Sequence, residues 1–393
     1  MLQSSPMRRR AFLLGLASVL AGLSVPRLWP TRDVFAAGET TGDSGTIPAP
    51  SIRLAVGGDT TLGYNLQTHV DSQLASGIPK EQLWPLYFDG VKSAVGAADL
   101  TLVNLECPFT ERGDKLAKNF NFRARPELVE ILKAGSVNVV TLANNHMMDY
   151  GAVGLEDTLA TLDAAGIAHF GAGKNLEAAR MPAVVERAGV KVGFLGYYFQ
   201  SAANMLEPRA VFGTPGRPGV AGCYTDLACL RHQITEDVQR LVPQVDAAFI
   251  YFHWGKEGST EVLDYQIELA HLCMDLGCKG IFGAHPHRLQ GVEVYRDGPI
   301  FYSLGNFVFG GNKDPRDKLS AIATLRVSRS GVPAAELVPI QVTRWPDAPF
   351  QPFVLAGAAK EDTLARIAAL SQAFPQTLSM LQPYLTKGNK PGG

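Results

Sequence analysis

TLANNHMMDYG, Thr141–Gly151, joins an apolar run to a helical pattern. The run before it, VNVVTLA (137–143), is apolar enough to be a strand buried on both faces. The segment after it, GLEDTLATLDAAG (154–166), has the 3.6-residue spacing of an amphipathic helix that stops at glycine. An ordinary strand-to-helix turn needs a glycine or a single cap, yet this one carries Asn144, Asn145, His146 and Asp149. The same strand-then-helix unit recurs along the chain. IRLAVGG (52–58), LTLVNLE (100–106), VKVGFLGYYF (190–199), AAFIYFHWG (247–255) and KGIFGAH (279–285) read as strands. WPLYFDGVKSAVGAA (84–98), PELVEILKAG (126–135) and YQIELAHLCMDLG (265–277) read as helices, so the chain is α/β.

After Gly283 the pattern changes. GVEVYRDGPIFYSLGNFVF (291–309) and AIATLRVSRSGVPAAELVPIQV (321–342) are hairpin-like, with turn chemistry at Asp297-Gly298 and Ser330-Gly331. A second, mixed or antiparallel sheet is therefore expected to follow the first. Residues 201–222, rich in Pro and Gly without a period, read as an insertion loop.

The 393 residues can bury a large core, and a hydrophobic share of 46% with a charged share of 19% describes a globular protein. A net charge of −1, with no basic run beyond the N-terminus, gives no footprint for nucleic acid. Arg8, Arg9 and Arg10 precede the apolar run AFLLGLASVLAGLSV (11–25), and Val34-Phe35-Ala36 offers small residues at a cleavage spacing. That run falls short of the roughly twenty residues a bilayer span needs. Residues 1–36 are thus expected to be an export signal, cleaved to give a periplasmic or cell-surface protein; left uncleaved, it would act as a membrane anchor. RRRAFLLG resembles the twin-arginine signal, with Arg8 in place of the usual Ser or Thr. The first cysteine is Cys107, so no lipoprotein anchor is expected at the cleavage point. Residues 37–50 read as a flexible linker, 51–345 as the folded domain and 346–393 as a helical extension and tail. Of five cysteines, Cys223 and Cys229 alone form a pair in a loop-like setting where a disulfide is worth testing.

Polar residues gather at the C-terminal ends of the strands. Asp59 follows the first; Asn104 and Glu106 end the second; Asn144, Asn145 and His146 end the third; His253 and Glu257 follow AAFIYF; His285 and His287 follow KGIFGA. That edge is where open α/β sheets bind ligands. Carboxylates, an amide and several imidazoles suit Zn, Mn or Fe better than Ca. Each residue also has a duller reading, such as a helix N-cap for an Asp or a satisfied core position for a His; the joint pattern favours a site.

GGDTTLG, NLECPFT, FNFRARPEL, LANNHMMDYG, HWGKE, GAHPHRLQGVEVY and FYSLGNFVF occur in the order and rough spacing of the CapA family of bacterial poly-γ-glutamate capsule synthesis proteins, from about Arg53 to about Phe309. That family in turn looks like a branch of the calcineurin-like metallophosphoesterases. The resemblance implies a four-layer sandwich of two mixed β-sheets flanked by helices. It implies one or two divalent metal ions per chain (Mn, Zn or Fe) held by Asp59, Glu106, Asn145, His253, His285 and His287, with Glu106 as the bridging carboxylate. His146 would be the acid, oriented by Asp149; a plain N-cap of the following helix is the other reading of Asp149. Thr61 stands where the phosphoesterases carry a DxH histidine, and Glu106 replaces their usual Asp. Loss of that histidine weakens the first metal position or leaves a single-metal site. Two functions follow: an exported metal-dependent hydrolase of a phosphoester or polymer bond, and a non-catalytic accessory subunit that binds the anionic polymer or the membrane-bound capsule synthesis proteins.

Overall fold

The two large sheets are built from strands far apart in the chain, and Ala172–Gly173 pairs with Gly219–Val220 as a separate two-stranded sheet. The computed structural model describes residues 50–329 and 331–374; the export signal, all but the last linker residue, Ser330 of the expected turn and the tail from 375 lie outside the described residues. One sheet runs in the order Phe353–Val354, Gly331–Gln341, Leu319–Ser328, Ser51–Thr61, Leu100–Leu105, Val139–Thr141, Ala168–Phe170, with Asn306–Phe309 also paired to Ser51–Thr61. The other runs Val292–Tyr295, Gly298–Phe301, Gly280–Ala284, Ala247–His253, Val190–Tyr198, Ala183–Arg187. Each sheet mixes parallel and antiparallel pairs.

Alternation along the strands decides the layers. Ile52, Leu54, Val56, Leu100 and Leu102 meet Phe194, Phe249 and Phe282 between the sheets. Ala55, Val103 and Leu105 face the other way, against Leu66, Tyr87, Leu132 and Leu155 of helices Asn65–Ala75, Lys80–Asp89, Val129–Ala134 and Gly151–Ala165. On the far side, Leu195, Tyr197, Ile250 and Phe252 pack on Leu230, Ile234, Leu269 and Cys273 of helices Leu227–Leu241 and Asp264–Asp275. The result is a four-layer sandwich: helices, sheet, sheet, helices. Each large apolar side chain buried there contributes about 1.5–3 kcal/mol.

The strands after Gly283 do not form a separate second sheet. Leu319–Ser328 and Gly331–Gln341 return to the first sheet, where Leu325 pairs with Leu54, while Val292–Tyr295 and Gly298–Phe301 extend the second beside Gly280–Ala284. Periodicity reports which face of a strand is apolar but not its neighbour, so the expected order of sheets was one the pattern could not test. The first hairpin turn sits one residue earlier than expected: Arg296 and Asp297 take φ of 47° and 63°, and Gly298 already pairs with Tyr295.

Three further helices are Asn65–Ala75, Leu227–Leu241 and Gly357–Leu370. Leu227–Leu241 starts where the Asp226 carboxylate accepts the Cys229 N–H at 2.9 Å. A Cys223–Cys229 disulfide ties its first turn to the end of the 201–222 segment, while Cys107, Cys273 and Cys278 are buried thiols. Among the described residues, no helix is long and apolar enough to cross a membrane.

Candidate metal centre

The strand ends of both sheets meet at one place because the first strand is irregular there. Its pairing with Leu100–Leu105 shifts register between Val56 and Asp59, and its pairing with Asn306–Phe309 shifts between Asp59 and Thr61. Gly58 allows the close approach: a Cβ there would lie 1.8 Å from the Gly305 carbonyl oxygen, whose bond from the Asp59 N–H is 3.0 Å long.

Asp59 is fully buried. Its Oδ1 accepts from Asn104 Nδ2 at 2.7 Å; its Oδ2 accepts the His285 backbone N–H at 3.1 Å and lies 3.0 Å from His287 Nδ1. Asn104 Nδ2 also reaches His253 Nδ1 at 3.1 Å, and Asn104 Oδ1 accepts from Asn144 Nδ2 at 3.0 Å. His253 Nε2 lies 2.8 Å from Asn145 Oδ1 and 3.5 Å from Glu106 Oε1. His285 Nε2 is 2.9 Å from Asn204 Nδ2, whereas its buried Nδ1 has no hydrogen-bond partner. Thr61 donates its hydroxyl to the Glu106 backbone carbonyl at 3.3 Å.

Two groups of potential ligand atoms result, Asp59, Glu106, His287 and Glu106, His253, His285, with the atoms of each group within 4.8 Å of one another. Glu106 belongs to both. Its carboxylate is fully buried, and neither oxygen receives a hydrogen bond. Burial pushes this carboxyl well above its usual range; Asp59 adds to the rise and His287 opposes it. Burial, reinforced by the neighbouring histidines, pulls His253 well below its ordinary value and His285 down to about 3. His287 goes the other way, to about 10: burial would lower it, but Glu106 and Asp59 outweigh that. A buried, donor-free carboxylate beside the neutral imidazoles of His253 and His285 is costly by itself and fits a divalent cation, for which carboxylate and imidazole are the common ligands. Cation binding would displace the proton on His253 Nε2, since a metal competes with protons for such donors.

Beside the ligand groups stands a hydrogen-bonded histidine–aspartate pair. His146 Nδ1 lies 2.7 Å from Asp149 Oδ2, and its ring stacks on Phe122 at 4.2 Å between centroids. Asp149 Oδ2 also accepts the Phe122 N–H at 2.6 Å. The helix Gly151–Ala165 takes no capping bond from Asp149, its N-cap being Tyr150. Burial lowers the His146 pKa while Asp149 opposes it. The imidazole borders a cavity of about 950 Å³ that Asn145, His285, His287, Asn204 and Phe309 also line.

The structure brings the expected residues together: Asp59, Glu106, Asn145, His253 and His285 are buried, half-buried His287 joins them, and His146 with Asp149 stands at their side. Sequence reasoning missed three participants. Lys118, with a side chain only 6% exposed, places Nζ 2.8 Å from Asp149 Oδ1 and 3.1 Å from Glu207 Oε2, and donates to the Asn145 carbonyl at 2.8 Å. Glu207 Oε1 accepts from Asn145 Nδ2 at 3.1 Å. Asn204 holds His285. All three sit in segments without periodicity, where the local sequence gives no signal.

The family described as Bacterial capsule synthesis protein PGA_cap matches residues 53–311. Over 228 residues the chain is 33% identical to the capsule biosynthesis protein CapA of Bacillus anthracis, a match covering 58% of this chain and 53% of that protein, or about half the relative's length. It is 30% identical over 283 residues to the PGA biosynthesis protein CapA of Bacillus subtilis (strain 168), covering 71% and 70%. It is also 30% identical over 310 residues to a protein of Mycobacterium tuberculosis (strain CDC 1551 / Oshkosh) named "Probable polyglutamine synthesis accessory protein", covering 75% and 79%.

Proposed function

The chain belongs to the bacterial capsule synthesis protein PGA_cap family, and from that membership and the buried centre we propose that it acts in capsule or polyglutamate synthesis as an exported, metal-dependent hydrolase of a phosphoester or polymer bond. The names of its relatives support the capsule role. Arg9 and Arg10 before the apolar run support export.

The observation that carries the hydrolytic part is Glu106, a fully buried carboxylate with no donor, shared by two ligand groups. Asp59, Glu106 and His287 would hold one ion, and Glu106, His253, His285 and the Asn145 amide oxygen the other. A divalent metal held there would supply Lewis acidity and activate water for attack. The residues around it do the rest. Asp149 fixes the His146 ring through Nδ1, which leaves Nε2 to exchange a proton with a group bound in the cavity. Phe122 backs the imidazole and keeps it in plane. Asn104 and Asn144 hold Asp59 and His253 at their spacing.

Elemental analysis of purified protein, followed by assay on phosphodiesters and γ-glutamyl polymer, tests this reading. Metal retained with hydrolysis of either substrate is expected, and protein that retains none after purification in metal-containing buffer would sink it. The word "accessory" in the Mycobacterium tuberculosis relative's name favours a second reading, a subunit that binds the polymer without cleaving it. Complementation by a His146→Ala variant separates the two, since only the hydrolase needs that imidazole.

A further inference from the structure

The 201–222 segment reaches into the centre through one side chain. Asn145 can present either its oxygen or its nitrogen toward His253 and Glu106, and only the oxygen can ligate a cation. Its amide nitrogen is held on the opposite side, where Nδ2 donates to Glu207 Oε1 at 3.1 Å and leaves Oδ1 2.8 Å from His253 Nε2. A carboxylate has no proton to give when ionised, so Glu207 accepts only the nitrogen end of the amide. Glu207 is held in turn: its other oxygen lies 3.1 Å from Lys118 Nζ, and its backbone N–H donates to Gln200 Oε1 at 3.1 Å. The same ammonium lies 2.8 Å from Asp149 Oδ1 and donates to the Asn145 carbonyl at 2.8 Å. One nearly buried cation thus touches both the amide's orienting partner and the carboxylate that holds His146.

Resting on the metal-centre reading above, we propose that Glu207 and Lys118 are positioning residues: Glu207 fixes which end of the Asn145 amide faces the metal, and Lys118 ties that orientation to the His146–Asp149 pair. The role assigns a task to the 201–222 segment, which otherwise reads as an insertion. Neither residue touches the reacting atoms in this scheme. Each acts through a neighbour.

The test is a double-mutant cycle read as Zn2+ affinity, by competition against a chelator of known strength on metal-stripped full-length protein. Removing a group that orients a ligand typically weakens metal binding by about 10–100-fold. Glu207→Ala and Asn145→Ala should each fall in that range, and the double variant should be no weaker than Asn145→Ala alone, because Glu207 works through the amide. Glu207→Gln offers an acceptor for the same N–H but also a donor that stabilises the flipped amide, so it should recover only part of the loss. Thermal unfolding of the metal-stripped variants checks folding, and Glu207→Gln, which keeps size and shape, serves if Glu207→Ala fails to fold. Wild-type affinity in Glu207→Ala, or in Glu207→Gln when that variant serves, overturns the proposal while leaving the metal centre standing; so does an equal Glu207→Ala penalty with and without Asn145. A wild-type protein that binds no Zn2+ overturns both. For Lys118, Lys118→Met should lower kcat with KM unchanged and narrow the pH–rate profile; an unchanged profile refutes its link to His146.

Discussion

Glu106→Gln should move stability in opposite directions with and without metal. In metal-stripped protein the wild-type carboxylate is buried with no donor, and a charged group left so costs at least about 1–3 kcal/mol. Glutamine removes the charge and keeps the shape, so the metal-free variant should match or exceed wild type. At roughly 2 °C per kcal/mol, the low end for large domains, the gain is about 2–6 °C. The difference should also depend on pH. The folded carboxyl titrates above its ordinary 4.5, so its contribution is fully present below 4.5 and is lost as pH rises through the folded value. The gap between variant and wild type therefore opens with rising pH. Adding metal reverses the order. A cation at 100 times its Kd stabilises by about 2.7 kcal/mol, or about 5 °C on the same scale. Glu106 is common to both ligand groups, so the variant should lose nearly all of that shift. Thermal unfolding of both proteins, with chelator and with Mn2+ or Zn2+, across pH 5–9, reads every part of this. A variant less stable than wild type without metal, or one that keeps the metal shift, would refute the view of Glu106 as a donor-free ligand shared by both groups.

His146→Ala should keep bound metal and thermal stability while lowering turnover about 10²- to 10⁴-fold, the range for loss of a general acid or base, checked by single-substrate kinetics beside elemental analysis. With Thr61 occupied in a bond to the Glu106 carbonyl, metal should fill the Asp59–His287 position sub-stoichiometrically and the Asn145–His253–His285 position firmly; two equally tight ions after dialysis would count against it. Changing Arg9 and Arg10 to Lys should leave full-length precursor in the cytoplasm, and unchanged processing on immunoblot would point to the general secretory route. Asp317, half-buried, is pushed up by burial but held below its ordinary 3.8 by the Arg366 guanidinium, which grips both its oxygens. Asp317→Asn should therefore cost roughly 0.5–1 kcal/mol at pH 7 after solvent screening, and less as pH falls through the depressed folded value, in urea melts at the two pH values.

What the sequence could show was the inside of each strand and the chemistry at its end. An unbroken apolar run such as AAFIYF is legible because a strand covered on both faces has no polar position to spare, and the GGD, ANNH and GAHPH pieces are legible because their ligands lie on, or within a few residues of, the strand that presents them. Pairing was not legible. That Leu319–Ser328 returns to Ser51–Thr61 depends on which sheet edge is free when the chain arrives, a property of the assembled fold. Lys118 and Glu207 were hidden for a related reason: each reaches Asn145 or Asp149 across 27 residues or more, from segments whose own composition says only that they are irregular.

The centre is also where the fold departs from what stability alone would choose, and this bears on whether it is a relic. His285 and His287 have φ of 95° and 53°, a region that side chains with a Cβ avoid at a cost of about 1–3 kcal/mol each. Glu106 adds a buried charge without a donor, and Lys118 is a nearly buried ammonium held between Asp149 and Glu207. A chain relieved of chemistry could lose these features through single substitutions, a glycine at either histidine or a glutamine at Glu106, and gain stability at each step. Here the strained histidines and His146 line one cavity, with the donor-free carboxylate and Asp149 buried next to them. A polymer-binding accessory subunit would need the cavity and its rim, but not a proton donor held at 2.7 Å beside ligand groups that share a carboxylate. Bond cleavage gives that combination a use, which is why the hydrolase is the reading we favour.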